Sequence, residues 1–202
     1  MALGAAEIDA IVESQLDDIA AVRAEMAASV QRHRPRSILS VGEGCNRFST
    51  FVGGCLAVGA LPGPTRLVVP MDVRAVAESF HRAGPPRVGG CRIAPLLGDV
   101  TRPPLRPGSF DLVASSMMID VVDDRVSAIA SMFELVRPGG YVLISGHGID
   151  ARPEWAGIAE LLASNHRDQV YPDQVTSWIE DCGGDVRHRW TSAHTWMLEG
   201  VL

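Results

Sequence analysis

Basic charge, patterned cysteines and long apolar runs are all scarce in this chain, and each shortage removes a class of function. Lys and Arg number 18 against 24 Asp and Glu, a formal net charge of −6. That is the wrong sign for a protein that must neutralise nucleic-acid phosphates. Basic residues cluster only in "RHRPR", Arg32 to Arg36, at the end of an expected helix, where cations complement the helix dipole. The four cysteines, Cys45, Cys55, Cys91 and Cys182, show neither CxxC nor Cys/His spacing. That pattern argues against zinc and against a disulfide framework, and free thiols fit a reducing interior. No apolar run approaches the roughly 20 residues of a membrane span. The N-terminus, "MALGAAEIDAIVESQLDD", is acidic and amphipathic, without the basic start and apolar block of a signal peptide. A cytoplasmic protein is expected, with no nucleic-acid, membrane or metal partner.

What is present is a regular alternation of strand and helix. The 202 residues suit one domain, 1–202, with a core that needs no staples. Over residues 5–34, Ile8, Ile11, Val12, Leu16, Ile19, Val22, Met26 and Val30 recur at three- and four-residue steps, so a helix is expected there. Pro35 stops it. Strands follow at "SILSV", "RLVVPM", "CRIAPLL", "FDLVASSM" and "YVLISG", with helices at "RFSTFVGGCLAVGA", "VRAVAESFHRAG" and "DDRVSAIASMFELV". "PPRVGG" reads as a loop and "RPGG" as a turn. An irregular stretch, 149–172, precedes a helix "DQVTSWIEDC" closed by Gly183 and Gly184. Two terminal strands, "DVRHRW" and "HTWMLEGVL", are joined by a short turn and must pair antiparallel. Repeated βαβ units predict a doubly wound, mostly parallel α/β sheet with helices on both faces and an antiparallel edge.

In such sheets ligands sit beyond the C-terminal strand ends, so the residues just after each strand are read together. The first strand opens onto Gly42-Glu43-Gly44-Cys45-Asn46, where glycine lets a backbone approach a ligand closely. After the second comes Asp72, which can accept both hydroxyls of a ribose or cap a helix beginning at Val73. After the third comes "LLGDV". There Asp99 can accept from an exocyclic amine while the Val100 backbone donates to a ring nitrogen, or Asp99 can stabilise a turn before "TRPP". Together these residues suggest an adenosine-type ligand. A nicotinamide dinucleotide fits less well, because its G-x-G-x-x-G pattern needs glycine where Arg47 stands and an acid earlier than Asp72.

"ILSVGEGCNRFSTF", "VVPMDV", "LLGDV…LRPGSFDLVASSMMIDVVDD" and "LVRPGGYVLIS" resemble, in order and spacing, the successive motifs of class I S-adenosylmethionine-dependent methyltransferases of the type 11 kind. The resemblance spans about residues 36–146 and implies a Rossmann-like, seven-stranded sheet of order 3-2-1-4-5-7-6. It also implies S-adenosylmethionine as cofactor. Gly42 and Gly44 would line its methionine moiety. Asp72, with Val73 beside it, would bind the ribose, and Asp99 and Val100 would hold the adenine. Ser115 and Ser116 would approach the methionine end and the substrate. Two positions depart from the family pattern. Ser40 stands where an acid usually helps position the amino group, and Asn46 replaces a third glycine. Glu43 can supply the missing carboxylate, or point to solvent. Asn tolerates the left-handed conformation better than other non-glycine residues.

Methyl transfer from a sulfonium is an in-line displacement, in which positioning dominates and a base assists a hydroxyl nucleophile. Two residues are candidate catalytic groups. Asp120, in "MMIDVVDD", faces the substrate, or caps or precedes the next helix. His147, in "ISGHGID", is a base at the pocket rim or an exposed loop residue. Met117 and Met118 are read as wall or core. Trp155 and Tyr171 flank the irregular segment, which with the N-terminal helix would supply lid and substrate walls. The edge hairpin is a surface at which two copies could form a homodimer. The expected activity is methyl transfer to an O, N or C nucleophile of a small-molecule metabolite. The alternatives are a cofactor-dependent cyclisation or rearrangement, and a non-catalytic binding or scaffold protein of this fold.

Overall fold

The computed structural model describes residues 5–42, 65–72, 87–88, 91–147, 170–192 and 195–202. The helices expected over 47–60 and 73–84, and most of the irregular segment before α3, lie outside the described residues. The helices are α1 (Ala5–His33), α2 (Arg125–Leu135) and α3 (Pro172–Asp181). The principal strands are β1 (Ser37–Val41), β2 (Leu67–Asp72), β4 (Cys91–Ile93), β5 (Leu96–Leu97), β6 (Phe110–Ser116), β7 (Val136–His147), β8 (Asp185–Thr191) and β9 (Thr195–Val201). A short β3 (Arg87–Val88) completes the set.

They form one sheet of order β3-β4-β2-β1-β6-β7-β9-β8, with β5 also beside β2. Taking β4 and β5 as one interrupted strand, the order is compatible with that implied by the resemblance. β1 pairs in parallel with β2 and β6, and β6 with β7. β9 pairs antiparallel with β7 and β8, as the short terminal turn requires. Three details differ from the sequence reading. "PPRVGG" is not all loop, because Arg87–Val88 pairs antiparallel with β4. "CRIAPLL" divides at Ala94-Pro95, where proline has no N–H to give the ladder. "RPGG" lies within β7, as an irregularity in its pairing with Phe110 and Leu112; Gly139 takes the left-handed φ of +76° that the bend needs.

Alternate residues of the central strands feed two cores. On one face Ile38, Val68, Leu112, Leu143 and Met197 meet Val22, Met26, Ala27 and Val30 of α1. Three of these helix residues, Val22, Met26 and Val30, are fully buried, each contributing about 1.5–3 kcal/mol of apolar burial. On the other face Leu39, Val69, Val113, Val142, Ile144 and Leu198 meet α2 and α3 through Ile129, Met132, Phe133, Val175 and Ile179. Polar contacts fix α1 in register. The buried Glu199 of β9 accepts from Ser29 Oγ at 2.6 Å and meets His33 Nε2 at 2.7 Å.

Helix ends follow their sequence signals. Asp124 caps α2 by accepting from Ser127 N at 3.0 Å. Past α3, Gly184 N donates to Ile179 O and Gly183 N to Glu180 O, both at 2.9 Å. Gly183 has φ +79°, which completes a Schellman ending.

Candidate functional site

The parallel strands deliver their C-terminal ends to one side of the sheet. There a cavity of about 340 Å³ is lined by Gly42 after β1, Asp72 ending β2, Asp99 and Val100 after β5, and Ser116 ending β6. Five of the expected cofactor residues therefore face one space. Glu43, Gly44 and Val73 lie outside the described residues. Ser40 and Ser115 are buried within their strands, 1% and 0% exposed, and are not on the described cavity wall.

Gly42 has to be glycine for two reasons. Its φ is +72°, and a Cβ built there would lie 2.5 Å from Met118 Cβ and 2.9 Å from Met118 Sδ. Its N–H donates to Met71 O at 2.9 Å, which holds the end of β1 against β2 beside the cavity. Asp72 receives the Gly98 N–H on its backbone carbonyl at 3.0 Å, which ties two cavity walls together. Asp99 is exposed, and its Oδ1 accepts from Thr101 N and Thr101 Oγ1, both at 2.8 Å. The turn role considered for Asp99 is thus present, and it leaves Oδ2 as a further acceptor.

The opposite wall was less visible in the sequence. After β6 the chain reverses at Met117, a non-glycine residue with φ +57°. Such a conformation costs of order 1–3 kcal/mol and gathers at functional sites. It is held by Met117 N donating to Ser145 O at 3.0 Å. The turn brings Met118 against Gly42 and sets Val121 and Val122 on the cavity wall. Met117 and Met118 are therefore wall residues, as expected, while Val121 and Val122 were missed. Their only signal was an apolar pair in an acidic loop.

Asp120 belongs to the same loop but turns away from the cavity. It is 3% exposed; its Oδ2 accepts from His147 N at 3.0 Å and lies 3.2 Å from His147 Nδ1. The two candidate catalytic residues are thus brought together, beside the cavity rather than on its described wall. Asp124, not Asp120, caps α2. Trp196 stays close, its Nε1 donating to His147 O at 3.1 Å and Val170 O at 3.2 Å, which anchors the end of β7 to the chain entering α3.

Asp120 Oδ1 and the hydroxyls of Ser115, Ser116 and Ser145 are buried without a hydrogen-bond partner among the described residues. Buried polar atoms are nearly always satisfied in a working protein. Of these four residues, Ser116 opens onto the cavity. Its unmet hydroxyl, the two carboxylates and the apolar Val100, Met71 and Met118 suit a group that is part heterocycle, part polyol and part charged. The volume falls within the roughly 300–1,000 Å³ of small-molecule sites. The residues present fit an adenosylmethionine group.

No cluster of three or more His, Cys, Asp or Glu able to hold a metal occurs among the described residues. No described helix is long and apolar enough to cross a membrane.

Residues 56–144 match the family described as methyltransferase domain. No curated protein matches the chain in sequence. Among solved structures, the YcgJ protein of Bacillus subtilis superposes with a TM-score of 0.65 at 12% identity, covering 89% of this chain and 97% of that one. A SAM-dependent methyltransferase from Aquifex aeolicus gives 0.59 at 13% identity, over 86% and 88% of the two chains. The mitomycin 7-O-methyltransferase MmcR gives 0.66 at 17% identity, over 93% of this chain and 54% of its own. At these identities the superpositions speak to the fold.

Proposed function

We propose that this chain is a class I S-adenosylmethionine-dependent methyltransferase that methylates a small-molecule metabolite on an O, N or C nucleophile, a hydroxyl above all. Its cofactor is S-adenosylmethionine. When bound, the cofactor supplies a methyl group on a positively charged sulfur. In this reading Asp72 accepts the ribose hydroxyls, Asp99 and Val100 hold the adenine edge, and Gly42 admits the methionine chain. Ser116 provides the hydroxyl nearest the substrate side. Val121, Val122 and Met117 form an apolar wall that excludes water from the line of attack.

The observation that carries the choice of a hydroxyl is the Asp120–His147 pair. In this reading His147 carries its proton on Nδ1, 3.2 Å from Asp120 Oδ2, which makes Nε2 the basic nitrogen. His147 Nε2 then takes the proton that a hydroxyl must lose, and the buried carboxylate steadies the resulting imidazolium. A neutral amine or a thiolate has less need of such a base, so the pair favours oxygen. The loop that carries Asp120 also supplies the cavity wall through Met117, Met118, Val121 and Val122, which supports this role for the pair.

The test is product analysis with methyl-labelled S-adenosylmethionine and a panel of small hydroxylated, amino and carbon-acid metabolites. A labelled methyl ether or ester is expected, with His147→Ala slower by roughly 10²–10⁴-fold and its pH dependence lost. Cofactor turnover yielding only unlabelled product would overturn the reading in favour of cyclisation or rearrangement. Equal rates for the wild type and His147→Ala would remove the base.

A further inference from the structure

The basic cluster Arg32 to Arg36 takes no part in the cavity at the C-terminal strand ends. It lies at the other end of β1, on the order of 16 Å away for a strand of this length. There a second cavity, of about 140 Å³, is lined by Arg34 and Arg36 from the turn into β1, Asp111 at the start of β6 and Arg137 at the start of β7. His33, Pro35, Gly139 and Tyr141 complete its lining. We propose that this cavity is an anion site that receives one phosphate group, either free or on a small metabolite.

Charge balance favours an anion here. Asp111 is the lone carboxylate on the wall, and it is fully engaged. Its Oδ2 accepts the backbone N–H of Arg36 at 2.6 Å and of Ser37 at 3.0 Å, and its Oδ1 pairs with Arg137 Nε. His33 is turned to Glu199, with Nε2 at 2.7 Å from Oε1, and its ring lies 4.1 Å from that of Tyr141. The C-terminal end of α1 adds about half a negative charge. Three arginines therefore line the cavity against one carboxylate and a partial charge, a surplus of more than one positive charge. No ion pair to Arg34 or Arg36 occurs among the described residues. Helix-dipole complementarity alone does not account for so large an excess.

Chemical shape favours phosphate. Every one of the 18 basic residues of this chain is arginine, whose planar fork matches phosphate oxygens in pairs. Arg137 uses Nε for Asp111, so its terminal nitrogens remain as donors. The cavity is smaller than the roughly 300–1,000 Å³ that encloses a whole ligand, which suits a single phosphate group with the rest of its carrier outside.

The backbone at Arg34 also favours a ligand. It has φ +50°, and its N–H donates to Val30 O at 2.9 Å. This is the left-handed position that ends a helix, normally occupied by glycine. An arginine held there against local preference points to a use for its side chain.

The experiment is calorimetric titration and thermal unfolding of the full chain with sodium phosphate, against sodium chloride at matched ionic strength. A saturable rise in Tm with phosphate alone is expected, since a ligand of the folded state stabilises it by mass action. Arg34→Gly suits the left-handed position and should fold at least as well, yet bind phosphate about tenfold more weakly, the loss of one charge-assisted contact. Arg36→Ala provides the second variant. The phosphate response should persist with saturating S-adenosylhomocysteine, which separates this site from the cofactor cavity. Tighter binding of glycerol phosphate than of orthophosphate would assign a metabolite, and equal binding a free ion. An identical response in both variants and the wild type, a response no greater than that to chloride, or its loss with S-adenosylhomocysteine would overturn the proposal.

Discussion

Gly42→Ala should destabilise the protein far more than an ordinary glycine replacement. At φ +72° an L-residue is disfavoured by about 1–2 kcal/mol. The new methyl would also press on the Met118 side chain, 2.5 Å from its Cβ and 2.9 Å from its Sδ. Met118 is 7% exposed and packed in the core, so displacing it is overpacking, worth about 1–3 kcal/mol. The expected total is about 2–5 kcal/mol, a large share of the 5–15 kcal/mol typical of a domain. Gly139→Ala is the control. It has a similar φ, +76°, with nothing within 4 Å of the added carbon, so it should show only the backbone part. Urea denaturation of both variants gives the difference directly. If Gly42→Ala is no worse than Gly139→Ala, the close packing of Met118 against Gly42 is wrong.

Further outcomes concern the buried carboxylates. Burial pushes the Glu199 carboxyl up, but Ser29, His33 and Arg32 together hold it below the usual range. Its stabilisation is therefore present above the unfolded pKa, about 4.3, and is lost as pH falls through the lower folded value. Glu199→Gln should flatten that acid limb in thermal unfolding scans; an unchanged limb would contradict the assignment. Asp111 behaves alike: burial raises it, while the Arg36 and Ser37 backbone N–H groups and Arg137 lower it further. Asp111→Asn should cost about 1–3 kcal/mol by chemical denaturation, with the loss growing from acid to neutral pH.

Much of the frame was legible because each element carried its own signal. The three- and four-step stripe of Val22, Met26 and Val30 gave α1, and these residues are buried against Ile38 and Leu112. Apolar runs gave the central strands, and the short turn before Thr195 fixed the antiparallel edge. Less visible was what depends on a neighbour in space. Arg87 and Val88 form a strand only because β4 lies beside them, and no local pattern announces a two-residue edge. The bend at "RPGG" carries the right turn residues, yet its backbone joins the ladder of β6. At the cavity, Gly42, Asp72, Asp99 and Val100 could be named from their positions after strands, and Ser116 from the family resemblance. The left-handed Met117 could not, since methionine gives no hint of it. Asp120 and His147 were each legible as isolated candidates, but 27 residues apart in sequence their contact is a product of the fold.

The proposed cofactor site is the strand-end cavity. Its test is calorimetric titration of S-adenosylmethionine into the wild type and into Asp72→Ala, with unfolding midpoints to show that both are folded. The prediction is one saturable site in the wild type. Affinity in the variant should be lower by roughly 10- to 100-fold, as expected for losing hydrogen bonds to a charged acceptor. No saturable binding to the wild type, or equal affinity in the two proteins, would contradict it.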